Sequence, residues 1–174
     1  MAGCDGGIWW TNDNGLTWDY NNNFPLGQFY EVAYDFKKPY NVFGGLQDNF
    51  SWTGPSSSLG SEGPSNDEWQ NIGGGDGFYC AVDPINNEIV YQESQNGGIT
   101  RLNMFTGERK GIKPRSPAGE PAYRFDWNSP IVISPHNPKR IYIGGNRLFI
   151  SDDRGDNWRR TIDLSTQPDR SKWP

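Results

Sequence analysis

The amino-acid sequence predicts an all-β protein built from repeated four-stranded antiparallel sheets. Three observations support this prediction. The 174 residues include 22 glycines and 13 prolines, and 14% are aromatic, a composition typical of short strands joined by tight turns. No stretch has apolar residues at helical spacing over three turns. A strand–turn–strand pattern also recurs along the chain, and its spacing indicates how the sheets are arranged.

This repeat consists of a strand, a turn that opens with Asp or Ser, and a second strand that ends in an aromatic residue. The turns open at Asp35, Asp83 and Ser134, so the repeat distances are 48 and 51 residues. A period of about 40–50 residues is typical of a four-stranded propeller blade. The sequence therefore predicts a β-propeller segment of about three and a half blades. The three copies of the repeat are 32–43, 80–91 and 131–142.

A second motif, S/T-x-D-x-G-x-x-W, follows an apolar strand near each end of the chain. Its copies lie 140 residues apart, close to three repeat lengths. Glycine accommodates a positive φ, the Asp side chain bonds turn amides, and the Trp packs between sheets. We therefore expect structural roles for Thr11, Asp13, Gly15 and Trp18 in the first copy, and for Ser151, Asp153, Gly155 and Trp158 in the second.

These two turns resemble the Asp-box, or bacterial neuraminidase repeat, of sialidases, xyloglucanases and sortilin-type propellers. Segments 44–52 and 72–79 are more particularly similar to large bacterial sortilin-like propeller proteins, which are often labelled glycosyl hydrolases. The resemblance implies a secreted or periplasmic protein whose Asp-boxes lie away from any active site. Phe50 stands where such a turn would have glycine, so residues 48–52 form either a further box or an ordinary loop.

The blades follow one another along the chain. A Gly/Ser/Pro-rich insertion from Gly54 to Ser65 is expected to be a surface loop. Three complete blades do not close a ring, because propellers have about four or more. The partners expected are therefore the remaining blades of a larger parent protein, which we favour, or a second copy of the chain. The segments are 6–20 for the two outer strands of a half blade, 28–72, 77–114 and 122–163 for complete blades, and 164–174 for an exit linker.

Charge and residue types exclude several functions. The net charge is −5 with no basic cluster, which excludes a nucleic-acid partner. Apolar runs are far shorter than the roughly 20 residues of a membrane span, so no membrane insertion is expected. Cys4, Cys80 and the single His136 lack metal-site spacing, and we predict no metal and no cofactor. A Cys4–Cys80 disulfide is disfavoured because the blade assignment places the two residues two blades apart.

Propeller topology sorts the candidate site residues onto one face. The second-to-third-strand loops and the blade-to-blade connections share the face near the central axis, opposite the two Asp-boxes. Polar groups beside aromatic rings there would suit sugar recognition, because sugar faces stack on rings and hydroxyls pair with carboxylates and amides. The rings are Trp9, Phe50, Trp52, Tyr79 and Trp127, and the polar residues are Asp5, Asp48, Asp76, Gln95, Asn96, Asp126, Asn146 and Arg147.

Two functional hypotheses follow, and a purely structural segment is a third. The first is a peptide- or glycan-binding module that uses Asp76, Gln95, Asn96, Trp127, Asn146 and Arg147. The second is a glycoside hydrolase, whose two carboxyl groups would lie about 5–5.5 Å or 6.5–9.5 Å apart. Its candidate catalytic residues are Asp76 first, then Asp5, Asp48 and Asp126. A simpler role for Asp76 is to bond the amides of its own loop.

Overall fold

The structure is a computed structural model that describes residues 1–4, 7–21, 27–60 and 62–166. These residues form antiparallel strands and two single-turn 3-10 helices, which confirms the all-β prediction. The strands assemble into one three-stranded sheet and three four-stranded sheets. Within each sheet, successive strands along the chain are hydrogen-bonded neighbours, as in propeller blades.

The first sheet contains β1 (Ala2–Cys4), β2 (Gly7–Trp10) and β3 (Asp19–Asn21). The sequence analysis expected two strands here. β1 adds a third by pairing Ala2 with Trp9. The other strands are β4 (Phe29–Tyr34), β5 (Asn41–Leu46), β6 (Ser51–Pro55) and β7 (Gln70–Gly73) in the second sheet, β8 (Gly77–Val82), β9 (Ile89–Ser94), β10 (Gly98–Asn103) and β11 (Arg109–Gly111) in the third, and β12 (Ile131–Ile133), β13 (Ile141–Gly144), β14 (Leu148–Ser151) and β15 (Arg159–Arg160) in the fourth.

The three four-stranded sheets lie side by side. β8, the first strand of the third sheet, contacts both β4 and β12, the first strands of its neighbours. The apolar core is divided between the two junctions, so each sheet buries its faces against the next. The core residues between the second and third sheets are Phe43, Ile72, Cys80, Val82, Val90 and Leu102, and those between the third and fourth are Tyr91, Ile99, Ile112, Phe125, Ile131, Ile141, Ile143 and Phe149.

The turns that open the repeats are held by their first residue. Asp35 is buried, and its Oδ1 accepts the backbone N–H of Asn41 at 2.8 Å. Asp83 is buried as well and accepts two turn amides through Oδ1. Ser134 does the same more weakly, since its hydroxyl accepts the N–H of His136 at 3.3 Å. These local bonds explain why the repeat is recognisable in the sequence.

The insertion predicted from Gly54 begins later than expected. Gly54 belongs to β6 and lies against the ring of Trp69, where an added Cβ would approach a ring carbon to 2.4 Å. Close packing, not loop flexibility, therefore explains this glycine. The described part of the connection consists of irregular stretches over 56–60 and 62–65 and the 3-10 helix η1 (Asn66–Glu68).

Cys4 is an exposed thiol and Cys80 a buried one, and neither forms a disulfide. Among the described residues, no helix has the length and apolar character needed to cross a bilayer. The predicted exit linker over 164–174 lies partly outside the described residues. Its beginning is held to the fourth sheet, because the N–H of Leu164 donates to the carbonyl of Asn146 at 2.8 Å.

Candidate functional site

Asp76 lies in the connection between β7 and β8 and joins two loops. Its Oδ1 accepts the backbone N–H of Asp48 at 2.7 Å, and its Oδ2 accepts Nε2 of Gln95 at 2.9 Å. Asp48 follows β5, and Gln95 begins the second 3-10 helix, η2 (Gln95–Gly97). The structure therefore brings these three candidates together on the face that propeller topology predicts.

These contacts limit the chemistry available to Asp76. The residue is buried, and both of its carboxyl oxygens already accept hydrogen bonds from the protein. A general acid or base must reach the substrate within hydrogen-bonding distance. The geometry instead gives Asp76 the simpler role named in the sequence analysis, which is to hold the loops around it.

Residues 47–50 form an ordinary tight loop between β5 and β6. The backbone N–H of Leu46 donates to the carbonyl of Phe50 at 2.9 Å. Asp48 and Phe50 have φ of 58° and 70°, a region that a bulky side chain such as that of Phe50 rarely adopts. The Phe50 ring is exposed at this face. The strained backbone therefore presents an aromatic ring to solvent.

Three aromatic rings, which we call the aromatic row, cross this face. Tyr30 from β4, Phe78 from β8 and Trp127 from the connection before β12 have successive ring centroids 5.0 and 6.3 Å apart. Phe78 is buried, whereas Tyr30 is 44% and Trp127 50% exposed. The Tyr30 hydroxyl also bonds the side chain of Gln47. Sequence analysis missed Tyr30, because nothing in the strand pattern distinguishes an exposed ring from a packed one.

The loop around η2 contacts the connection that carries Trp127. The backbone N–H of Asn96 donates to the Trp127 carbonyl at 3.2 Å, and Nζ of Lys113 donates to the Asn96 carbonyl at 2.7 Å. Asp126 is exposed, and its carboxylate accepts the N–H of Trp127 at 2.8 Å. Asn96, Asp126 and Trp127 thus belong to one hydrogen-bonded group at the edge of the aromatic row.

Asn146 and Arg147 make their described contacts elsewhere. The Asn146 side chain accepts the N–H of Arg124 at 2.9 Å and donates to Asp163 at 2.7 Å. Arg147 donates to the carbonyl of Thr161 at 2.7 Å. Hydrogen bonds from Ser165 and then Asn146 hold the pKa of Asp163 below its usual range. The two residues therefore stabilise the ends of the fourth sheet, and no described contact joins them to Asp76.

The remaining candidates have varied positions. Asp5 lies outside the described residues. Trp9 packs on Tyr20 within the first sheet, with ring centroids 4.6 Å apart. Trp52 donates its indole N–H to the carbonyl of Asn49 at 2.6 Å, and Tyr79 packs against the core of the third and fourth sheets. Of the five predicted rings, Phe50 and Trp127 are the ones exposed beside Asp76 and Asn96.

Glu93 is a polar residue of this region that the sequence analysis missed. It lies in β9 and is fully buried, and its Oε1 accepts the backbone N–H groups of Ser129 at 3.1 Å and Gly97 at 3.3 Å. Oε2 has no hydrogen-bond partner among the described residues. Burial raises the pKa of Glu93 to about 7, against the lowering effect of the backbone donors. The signal available in the sequence was a single charged residue within an otherwise uncharged strand.

The two Asp-box-like turns have matching hydrogen bonds at the opposite end of the sheets. Thr11 Oγ1 accepts the N–H of Gly15 at 2.9 Å, and Ser151 Oγ accepts that of Gly155 at 2.8 Å. Bonds from the side chains of Thr17 and Asn157, the largest causes, lower the pKa values of Asp13 and Asp153 to about 2. The two glycines have φ of 93° and 92°. The Trp158 indole donates to the carbonyl of buried Ile112 at 3.0 Å, whereas Trp18 is 45% exposed.

Two clefts of about 310 and 330 Å³ lie at the junction of the third and fourth sheets. The first is lined by oppositely charged side chains that pair with one another, such as Lys110 and Asp156 at 2.7 Å. In the second, Arg160 lies over the Tyr123 ring and pairs with Glu120. Neither cleft is lined by Asp76, Gln95 or Trp127, so the aromatic row is an open surface separate from both.

No protein-family model matches this chain. A comparison with curated proteins likewise finds no match. Function is therefore argued from the residues and their geometry. The observations that bear on it are the aromatic row, the polar loops around Asp76 and the turns that resemble Asp-boxes.

Proposed function

We propose that the chain is a sortilin-like Asp-box propeller segment of a larger secreted or periplasmic protein, and that its aromatic row binds a glycan or a peptide. The observation that carries the proposal is the exposure of Tyr30 and Trp127 on either side of buried Phe78. Tyr30 and Phe78 come from the first strands of two neighbouring sheets and Trp127 from the connection that leads into the fourth sheet, so a rigid scaffold holds them. Exposed rings in a fixed arrangement suit the flat faces of sugar rings or apolar peptide side chains.

Polar groups around the row would provide the specificity. Gln47 and Asn96 are exposed, and the Gln95 amide is half-buried between Asp76 and solvent. Side-chain amides both donate and accept hydrogen bonds, which matches sugar hydroxyls and peptide backbone groups. A few fixed polar groups beside an apolar surface are typical of ligand sites.

Charge narrows the class of ligand. Asp48 and Asp126 are exposed carboxylates at this face, and the ammonium group of Lys113 is bound to the Asn96 carbonyl. The local charge is therefore negative, in line with the net charge of −5 of the whole chain. Like charges repel, so the site favours an uncharged glycan or a basic peptide over an acidic ligand.

The hydrolase alternative receives less support from the contacts. Two carboxyl groups would have to reach one glycosidic bond, from opposite sides of it. Asp76 is buried with both oxygens bonded to loops, and Asp126 accepts the amide of its own neighbour. A binding module needs no such pair.

Exposed apolar side chains favour additional blades as partners. Val32 and Tyr34 on β4 and Trp10 on β2 are exposed, although the equivalent faces at the other junctions are buried. Each described core forms between neighbouring sheets, so an exposed sheet face of this kind suits a further sheet. Light scattering tests this point. The mass of a 19.7 kDa monomer supports further blades in a parent protein, and twice that mass supports a second copy.

Glycan and peptide arrays test the binding proposal. The wild type is expected to bind neutral glycans or basic peptides, and Trp127→Ala is expected to weaken binding about 10-fold or more, the value of burying one large ring. Phe105→Ala is the matched control, because Phe105 is 81% exposed in the turn between β10 and β11, at the opposite end of the sheets. Failure of the wild type to bind on both arrays, or unchanged binding by Trp127→Ala, would contradict the proposal.

A further inference from the structure

We propose that Glu93 is a positioning residue for this face, whose buried carboxyl group sets the placement of Asn96 and Trp127 and makes that placement depend on pH. Only the consequence for ligand binding rests on the proposed function. The positioning itself concerns two loops and one side chain, and it can be measured without any ligand.

The first step is the geometry of the carboxyl group. Oε1 of Glu93 accepts N–H groups from two separate segments, Gly97 at 3.3 Å and Ser129 at 3.1 Å. Gly97 ends η2, and Ser129 lies in the connection before β12. The two segments also pack closely, because a Cβ at Gly97 would approach the Phe125 ring to 2.6 Å. One buried oxygen therefore fastens the third sheet to the fourth.

The second step connects this contact to the surface. Asn96 precedes Gly97 and donates its N–H to the Trp127 carbonyl at 3.2 Å. The Ser129 hydroxyl donates to the carbonyl of Asp126 at 3.2 Å. Only one residue, Asn128, separates Trp127 from Ser129, whose N–H donates to Glu93. A change in the bond to Ser129 therefore displaces the segment that carries this ring.

The third step is the difference in hydrogen bonding between the two carboxyl oxygens of Glu93. Oε2 is buried and has no partner among the described residues. Burial makes the ionised carboxylate costly and raises the pKa of Glu93 to about 7, although the backbone N–H groups of Ser129, Gly97 and Tyr79 act to lower it. When Glu93 is ionised, the bonds that Oε1 accepts from Gly97 and Ser129 are charge-assisted, but they do not offset the cost of burying the charge, since the pKa is raised. When it is protonated, these bonds become those of a neutral acceptor.

Other ionisable groups surround this contact. The charge of Glu93 acts on the neighbouring thiol of Cys80. Burial, and then this charge, raise the pKa of the thiol to about 12. That thiol stays protonated near neutral pH, so it does not compete as the group that changes charge. The ionisable residues on the elements packed around Glu93 include Tyr91 on β9, Tyr79 and Cys80 on β8, Arg101 on β10, and Lys113, Arg124 and Asp126 on the connection between β11 and β12. Asp76 adjoins this region because it accepts the side-chain amide of Gln95 in η2.

A pH titration of the ¹⁵N-labelled protein tests the inference directly. The amide signals of Gly97 and Ser129 and the indole N–H signal of Trp127 are expected to shift together, with one midpoint near pH 7. Glu93→Gln should abolish this transition. Glu108→Gln, an exposed residue in the turn between β10 and β11, should preserve it. A Trp127 signal that does not follow the two amides would overturn the inference, and the wild type alone decides this point if Glu93→Gln does not fold.

Ligand affinity separates the two proposals. With the best array ligand, the wild type is expected to bind about fivefold more tightly at pH 6 than at pH 8, because the raised pKa of Glu93 means that its ionisation disfavours the packed loops that bury the carboxyl group. Glu93→Gln should lose this pH dependence. If the amide titration succeeds and no array ligand binds, the proposed function fails while the positioning role holds. If a ligand binds Trp127 with an affinity that does not change with pH, the positioning role fails.

Discussion

Replacing Arg154 with methionine is expected to destabilise the junction of the third and fourth sheets by about 3 kcal/mol. Arg154 lies in the turn after β14 and donates Nε at 2.9 Å and Nη2 at 2.8 Å to Oδ2 of Asp83. The Asp83 side chain is fully buried, whereas that of Arg154 is 26% exposed. Removing the guanidinium leaves a buried carboxylate oxygen without its donors, which typically costs about 3–5 kcal/mol. Because the Arg154 side chain is partly exposed, water can reach the Asp83 carboxylate in the variant. We therefore expect a loss of stability at the lower end of this range.

A double variant distinguishes this mechanism from general damage. Ser134 occupies the position of Asp83 in the next repeat, so serine is compatible with this turn. Asp83→Ser combined with Arg154→Met removes both charges and should recover most of the lost stability, because no buried charge remains. Arg159→Met is the control, since the Arg159 side chain is 62% exposed and its pair with Asp152 is worth less than about 1 kcal/mol.

Urea denaturation followed by tryptophan fluorescence measures all four proteins. The account predicts a large loss for Arg154→Met, a small one for Arg159→Met and an intermediate free energy of unfolding for the double variant. A change below about 0.5 kcal/mol for Arg154→Met would refute the reasoning, because that is the range of ordinary surface substitutions. A double variant less stable than Arg154→Met would also refute it.

Three further predictions concern single groups. Because the pKa of Glu93 is raised from 4.5 to about 7, its contribution to stability is fully present below about pH 4.5 and is lost as the pH rises through 7. Urea denaturation as a function of pH should show that Glu93→Gln removes this pH-dependent loss of stability, which is at most about 3 kcal/mol. Gly54→Ala should lower the free energy of unfolding by about 1–3 kcal/mol through overpacking against the adjacent indole ring, whereas Gly111→Ala, with open space around it, should not. A thiol reagent should modify exposed Cys4 rapidly and buried Cys80 only after unfolding, and equal rates would contradict the packing of β8.

The sheet architecture was predictable because its signals are local. Asp35 and Asp83 bond amides within their own turns, so the same residue types recur wherever this turn recurs. Antiparallel strands joined by short turns then follow with little ambiguity. β1 was not predictable in this way. Its small residues, Ala2–Cys4, have no strand pattern, and they form a strand by pairing with β2.

The candidate site was predictable only in part. Topology predicts that Asp48, Asp76 and Gln95 share one face, and the structure joins these three residues by hydrogen bonds. It could not show that both oxygens of Asp76 are already bonded, since that depends on side-chain geometry in two distant loops. Asn146 was expected at the same site, but it bonds residues from irregular segments, which have no periodic pattern to reveal such contacts.

Chemical-shift mapping with the best array ligand would show whether the aromatic row is the ligand-binding surface. We expect the perturbed amide and indole signals to cluster on Tyr30, Gln95, Asn96 and Trp127. Perturbations that cluster instead on the turn of Phe105, at the opposite end of the sheets, would contradict it.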